Sequence, residues 1–298
     1  LSNLTSPVAI NQHLLPASNN SIDLGSSTLN YKDMHLSGKI FVNGIPYFKT
    51  NAGNLYWGYE SGYSDAAGSG ENTAYGYRTL VGNTTGRYNT AIGLEAMYGG
   101  SLGPVYSNTA VGYGALHVVS APGGGGNTAL GAVSLYQTTT GYWNTGVGNY
   151  ALTSNTTGTS NVAVGTDALY SSVQNSNNVA IGDSALYKYN DASFKDYMLA
   201  AGTKALYNNT NGYYNTALGG EAMYNNTVGT RNTAVGVQAL NTNTSGTDNT
   251  ALGYLADVSA AGLTNATALG SKAKVNASNK VVVGNTSVTV IGGEVGWS

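Results

Sequence analysis

The chain has 298 residues, of which 9% are charged, 41% are apolar and 42 are glycine, and its formal net charge is −2. Typical soluble domains carry about 25% charged residues, so this is no ordinary globular surface, yet the apolar share is too high for a disordered chain. Near-neutral charge gives no electrostatic reason to expect nucleic acid or an anionic membrane as partner, and the lack of cysteine excludes disulfides and cysteine-held metals.

Residues 1–50 come first and read as a short β-rich cap or connecting module. The phrases IDLG, MHLSG and KIFVNG alternate apolar and polar positions between tight-turn residues. No apolar run anywhere approaches the roughly 18 residues that would span a bilayer, so no membrane insertion by this segment is expected.

From residue 51 to 279 one phrase recurs, Asn-x-Ala-apolar-Gly. Its glycine stands at Gly58, Gly76, Gly93, Gly112, Gly131, Gly148, Gly165, Gly182, Gly202, Gly219, Gly236, Gly253, Gly270 and Gly284, at spacings of 14 to 20 and most often 17. Four residues earlier stands Asn, as in Asn89, Asn108, Asn215, Asn232 and Asn249, with Met198, Ala266 and Lys280 as exceptions. Two residues earlier stands Ala in most copies, and just before the glycine comes Val, Ile or Leu. Ala-Leu or Ala-Met follows three and four residues later, and turn phrases such as NTTG (83–86, 155–158) and NTSG (243–246) separate the copies.

Such a sequence is a poor helix former, whereas T-A-V-G alternates with period two. One strand this short is unstable alone. Stacked at about 4.8 Å per layer it becomes a rung, and identical residues fall into columns. The reading is all-β: a parallel solenoid of about fourteen coils and roughly 65 Å. The Asn column is expected to ladder its amides, and the glycine to hold a backbone conformation closed to other residues. Two apolar columns, the Val/Ile/Leu before the glycine and the later Leu/Met, are more than one thin roll can hide. One of them is therefore expected outside, buried only by self-association.

Three coils carry extra residues, at 99–107, 118–126 and 188–197. Insertions on solenoids map to surface loops, and the third gathers Lys188, Asp191, Lys195 and Tyr197 as a candidate ligand-binding spot, with a tolerated bulge as the equal alternative. Tyr98, Tyr136, Tyr170, Tyr187, Tyr207 and Tyr224 follow the Ala-Leu pair and form a predicted column, while Tyr88, Tyr142, Trp143, Tyr213 and Tyr214 precede the Asn. Such columns suit flat ligands such as sugar rings, but mutual bracing of the coils is the stronger alternative. His13, His35 and His117 are scattered, the acidic residues are sparse, and GGGG at 123–126 lacks the context of a phosphate loop. Neither a catalytic constellation nor a metal or cofactor site is read here, so the expectation is a non-enzymatic protein.

Residues 280–298 read as a closing coil with a neck-like segment. The stretch ATALGSKAKVNASNKVVVGNTSVTVIGGEVGWS (266–298) resembles the YadA-like head of trimeric autotransporter adhesins, and the 17-residue phrases are similar to repeats of bacterial surface proteins and phage tail fibres. INQHLLPASNNSIDLGSSTLNYKDMHLSGKIFVNG (10–44) is similar to a short tail-fibre module, and SVTVIGGEVGWS to segments preceding a self-cleaving tail-fibre chaperone. The resemblance implies a left-handed parallel β-roll, three chains packed side by side as a homotrimer, and a place outside the cell, on a cell surface or a virion tail fibre. It implies attachment to a surface glycan or protein receptor. A purely structural filament with end-to-end fibre partners is the alternative, and an ice-binding solenoid, suggested by the column Thr73, Thr90, Thr109, Thr128 and Thr145, ranks third.

Overall fold

Each Asn-Thr-Ala-Val-Gly phrase folds as one rung of a ladder. The protein is described by a computed structural model over residues 39–42, 45–51, 53–65, 70–99, 105–120, 124–191 and 196–291, so most of the expected N-terminal module lies outside the described residues. Strand β1 (Lys39–Val42) pairs antiparallel with β2 (Ile45–Asn51), which pairs antiparallel with β3 (Asn54–Trp57). From β3 onward every neighbour is parallel. The rungs are β4 (Thr73–Tyr75), β5 (Thr90–Ile92), β6 (Thr109–Val111), β7 (Thr128–Leu130), β8 (Thr145–Val147), β9 (Val162–Val164), β10 (Val179–Ile181), β11 (Leu199–Ala201), β12 (Thr216–Leu218), β13 (Thr233–Val235) and β14 (Thr250–Leu252). After β14 the chain forms β15 (Asp257–Val258), β16 (Thr267–Leu269), β17 (Lys274–Val275) and β18 (Val281–Val283). Strands β16 and β18 continue the main sheet, giving it 16 strands, while β15 and β17 pair with each other. Fourteen parallel rungs thus enclose thirteen turns, the described residues contain no helix, and the β-solenoid read from the repeat is observed.

The register is strict. Ala217 pairs with Ala234 and Ala234 with Ala251, so the alanines stack in one column. That column faces inward and is fully buried, and a second buried column is built from Met97, Leu116, Leu135, Leu152, Leu169, Leu186, Leu206, Met223 and Leu240. Alanine on one wall and leucine or methionine on the other fill an interior too narrow for two large side chains. The remaining apolar column, which includes Ile92, Leu130, Ile181 and Leu252, points out to solvent. This settles which of the two apolar columns makes the core.

Corners are made by left-handed residues that are mostly not glycine. In the coil after β12, Glu221, Met223 and Arg231 have φ of 55°, 51° and 55°. Each such residue gives up roughly 1 kcal/mol of conformational preference. The turns remain hydrogen-bonded to neighbouring coils even so: Glu221 N–H donates to Thr203 O at 2.8 Å, and Met223 N–H to Ala239 O at 2.8 Å. The ladder therefore runs through the corners as well as the strands, which is what offsets the strain.

The anchor glycine requires its residue type. From Gly58 to Gly253 the anchors hold φ between 127° and 139°, a region open to glycine alone. A Cβ at Gly236 would stand 2.4 Å from the carbonyl oxygen of Gly253 in the next coil. The expected special conformation and close approach are both present, and the same holds at Gly93, Gly112, Gly165, Gly182, Gly219 and Gly253.

The asparagine column is buried and fully engaged. Asn232 donates its backbone N–H (2.9 Å) and Nδ2 (3.1 Å) to Asn215 Oδ1, and Asn249 N–H donates to Asn232 Oδ1 at 2.9 Å. The remaining amide hydrogen of Asn232 goes to Gly246 O at 2.8 Å, tying the strand to the turn of its own coil. Asn89 and Asn108 repeat the arrangement near the start of the roll. A second interior asparagine column arises from the turn phrases, where Asn243 Nδ2 donates to Asn226 Oδ1 (3.0 Å) and Asn226 Nδ2 to Asn209 Oδ1 (2.7 Å). Asn83, Asn155 and Asn243, which open the turn phrases NTTG and NTSG, are buried.

Candidate functional site

Three surface features on the rungs bear on function: a ladder of half-buried aromatic rings, the coil with the longest insertion, and the outward face of the sheet.

The ring ladder follows the Ala-Leu pair, as predicted. Tyr170, Tyr187, Tyr207 and Tyr224 stack in succession with centroids 5.0, 5.1 and 5.3 Å apart and planes within 11° of parallel. Nearer the start, His117 lies between Tyr98 (5.1 Å) and Tyr136 (4.6 Å), and the Arg78 guanidinium covers Tyr98 and donates to its hydroxyl. Lys188 Nζ lies 5.5 Å over Tyr207 and donates to Asn208 Oδ1 at 2.9 Å. Burial, reinforced by the Asp167 carboxylate and the flanking tyrosines, pushes the Tyr187 hydroxyl above its usual range; burial and then Asp183 push Asp167 up. Each interior ring spends both faces on its neighbours. Only edges and hydroxyls meet solvent, a geometry that braces coils and leaves no ring face for a sugar. His117 belongs to this ladder, with Nε2 3.5 Å from Glu95, while His13 and His35 lie outside the described residues.

The insertion at 188–197 does not gather its candidates on one surface. Asp191 is only 3% exposed and Tyr189 is fully buried, whereas Lys188 and Tyr197 are exposed; Lys195 lies outside the described residues. The organising residue is Asp196, also 3% exposed. Its carboxylate accepts from Asn175 Nδ2 (2.9 Å), the Ser176 N–H (2.7 Å) and the Tyr189 hydroxyl (3.0 Å). A buried carboxylate is tolerated because donors surround it. Burial and the nearby Asp196 charge push the Tyr189 hydroxyl far up, so it remains a donor. In the sequence Asp196 is one more acid of the 188–197 insertion; the signal that marks it is its place two residues before Met198, where this mid-roll coil lacks the column asparagine. Tyr197 leans on Tyr214 with centroids 5.9 Å apart. Beside this coil, Lys188, Asn208, Thr210, Asn225, Thr227 and their neighbours line an open polar cleft of about 630 Å³.

The outward face of the sheet is the most extended feature. It carries the Val/Ile/Leu column, with Ile181 45% and Leu252 51% exposed, flanked at several coils by exposed Tyr77, Leu94, Tyr113, Val237 and Tyr254. Over thirteen rung spacings this stripe runs about 62 Å. Among the described residues no group of three or more histidine or acidic side chains is placed to hold a metal ion, and no helix is long and apolar enough to cross a membrane. No family model matches the chain, and none of the curated proteins matches it significantly.

Proposed function

We propose that the protein is a non-enzymatic fibrous attachment protein, the head or shaft of an adhesin or tail fibre, working outside the cell as a side-by-side homotrimer of left-handed rolls. The observation that carries this reading is the exposed apolar column on the sheet face. Monomers seldom leave a contiguous apolar patch beyond a few hundred Å² in water, and an apolar column that is exposed or half-exposed from rung to rung, reduced to a methyl only at Ala201, calls for a partner with the same repeat. A second and third copy of the chain have that repeat in register, and cyclic closure satisfies each copy equally. The resemblance of residues 266–298 to YadA-like heads supports the trimer, and the antiparallel β1–β2 pair laid on β3 supports reading the N-terminal module as a cap of the roll's first edge.

Sedimentation and light scattering on the purified chain test the assembly, with a trimer expected. Ile181→Lys and Leu252→Lys place charges on the stripe without touching the interior, and each is expected to shift the population toward monomer. A wild-type chain that stays monomeric in dilute solution overturns the proposal. Attachment itself is tested by binding of the labelled assembly to cell surfaces, with binding expected and none observed if the protein is only a filament.

The ice-binding reading keeps one supporting observation: the Thr column shares the outward face with the apolar column. Val162, Val179 and Leu199 interrupt it mid-roll, and a thermal-hysteresis measurement decides, with none expected.

A further inference from the structure

The corner before each rung shows one coil unlike the rest. Two residues before the column asparagine, successive coils place Arg87, Tyr106, Gly125, Tyr142 and Thr159; one residue before, they place Tyr88, Ser107, Gly126, Trp143 and Ser160. Only at Gly125–Gly126 are both side chains missing. The gap is a cleft of about 330 Å³ lined by Tyr106, Ser107, Gly125, Gly126, Tyr142 and Trp143. We propose that this cleft binds one neutral hexopyranose unit of a surface glycan.

The geometry favours a single flat, partly apolar ring. Tyr106 and Tyr142 stand two rungs apart, about 9.6 Å between backbones, with a glycine where the intervening side chain would be. That is room for one inserted ring in contact with both sides. Trp143 is 68% exposed, and its ring meets Tyr142 at 87° with centroids 4.9 Å apart, so the two form a floor and a wall. Tyr106 and Tyr142 are exposed as well, unlike the half-buried rings of the tyrosine ladder. The glycines are needed for the shape: a Cβ at Gly126 would stand 2.6 Å from Trp143 Cδ1, and one at Gly125 3.0 Å from Tyr106 O. The corner stays rigid through the Gly126 N–H to Tyr106 O (2.9 Å) and Trp143 N–H to Gly125 O (3.0 Å) bonds.

The polar chemistry chooses a neutral sugar. Among the described residues the lining offers phenol hydroxyls, the Ser107 hydroxyl and the indole N–H, and no charged side chain. The C–H face of a pyranose covers an aromatic ring while its rim hydroxyls exchange hydrogen bonds with such groups. A sialic acid or sugar phosphate would bring a charge with no cation in the lining to meet it. An aromatic peptide side chain would leave most of these polar tips unused. The proposal deepens the attachment reading by naming a receptor class, and it rests on that reading only for its biological meaning.

The repeat supplies variants that keep the fold. Asn177 occupies the slot of Trp143 in a later coil at φ 59°, and Thr159 follows in the slot of Tyr142, so Trp143→Asn and Tyr142→Thr use residues the roll already accommodates. The full chain as it assembles is titrated with the methyl glycosides of glucose, galactose, mannose and N-acetylglucosamine while tryptophan emission is followed, and is applied to an array of neutral and acidic glycans. Saturable binding to at least one neutral glycoside is expected, weakened about tenfold or more, near 1.4 kcal/mol, by either variant. Tyr213→Thr and Tyr214→Asn, at a corner with no glycine gap, are expected to leave it unchanged. Binding to acidic glycans alone, binding indifferent to Trp143→Asn, or no glycan binding at all overturns the cleft. An assembly that attaches to cells but ignores every glycan removes the cleft and keeps attachment. Cleft-dependent sugar binding without attachment to any surface does the reverse.

Discussion

The coil from Asn215 to Arg231 and the coil from Asn178 to Tyr197 solve the same problem differently. In the first, the Asn215 oxygen takes both the N–H and the side-chain amide of Asn232, and the Asn215 amide reaches the turn carbonyl of Gly229 at 2.7 Å. In the second, Met198 stands where the next asparagine belongs. Its N–H still reaches Asn178 Oδ1 at 3.0 Å, but it has no amide to offer, and its sulfur receives the Asn215 N–H at a long 3.5 Å. The same coil carries the inserted residues, and it is here that Asp196 enters the interior to tie Asn175, Ser176 and Tyr189 together. Rungs stack because their backbones repeat, so a coil can lose one step of its side-chain ladder and carry an insertion, provided the buried donors of the inserted turn find an acceptor of their own. Length and ladder are exchangeable; the backbone anchor is not.

That last clause can be broken first, because it carries the largest expected effect. Gly236→Ala, in a regular coil, forces a β-carbon to within 2.4 Å of the Gly253 oxygen at a backbone conformation closed to alanine, and Gly202→Ala does the same beside the inserted coil against Gly219. Each is expected to cost about 3 kcal/mol or more through strain and overlap combined. Denaturant melts at fixed protein concentration check it. If the two coils differ greatly, the anchor is not independent of the ladder.

Next come the two interior devices. Asp196→Ala leaves one hydrogen of the Asn175 amide, an N–H and a hydroxyl without their acceptor, for an expected loss of about 3 kcal/mol. Asn232→Ala removes the acceptor of the Asn249 N–H and the donor to Gly246 O, for an expected loss of about 2 kcal/mol. Met198→Asn runs the other way. The Gly212 carbonyl, which takes the Asn209 amide at 2.9 Å, is placed to take a second one, so the repaired ladder is expected to gain about 1 kcal/mol. The same melts rank all three, and a destabilised Met198→Asn would mean that the inserted coil has abandoned the asparagine geometry altogether.

The anchor, the asparagine column and the rung were legible in the sequence because each is a one-residue rule repeated at a fixed spacing. The interior was half legible. Alternation put Ala opposite Thr and Val, but choosing Leu152 over Val147 for the core needed the corner geometry, in which Leu152 turns inward from a left-handed backbone at φ 52°. Propensity places leucine there poorly, and inter-coil hydrogen bonds override it. The tyrosine column was legible as a column, yet spacing says nothing about ring planes, and the planes are what close Tyr187 and Tyr207 to a ligand. The loop at 188–197 was misleading in composition: Lys188, Asp191 and Tyr197 read as one mixed surface, while hydrogen bonding draws Asp191 and Asp196 inward. The Gly125–Gly126 gap was present in the sequence as GGGG, but its meaning lies in the neighbours above and below, 17 to 19 residues away.

A third coil, at Asp257, sharpens the comparison with the smallest effect and a pH signature. This coil keeps the 17-residue spacing from Gly253 to Gly270, the next one falls to 14, and the two are joined by a second short ladder, the β15–β17 pair. The Asp257 carboxylate accepts from the Thr242 hydroxyl (2.6 Å), the Thr242 N–H (3.1 Å) and the Val258 N–H (2.8 Å). Burial nonetheless outweighs these donors and holds its pKa above the usual carboxylate value of 3.8. A raised folded-state pKa means that the folded protein takes up a proton before the unfolded chain does. This group's contribution is then fully present below the unfolded value and is lost as pH rises through the folded one. Asp257→Asn removes that dependence while keeping the shape. Urea midpoints of the two proteins at fixed protein concentration should therefore separate in the variant's favour as pH climbs from about 3.5 to 7, on top of a constant offset from altered hydrogen bonds. If the separation does not change with pH, the three donors hold the buried charge as well as water does, and this coil accommodates its buried carboxylate as completely as the inserted coil accommodates Asp196.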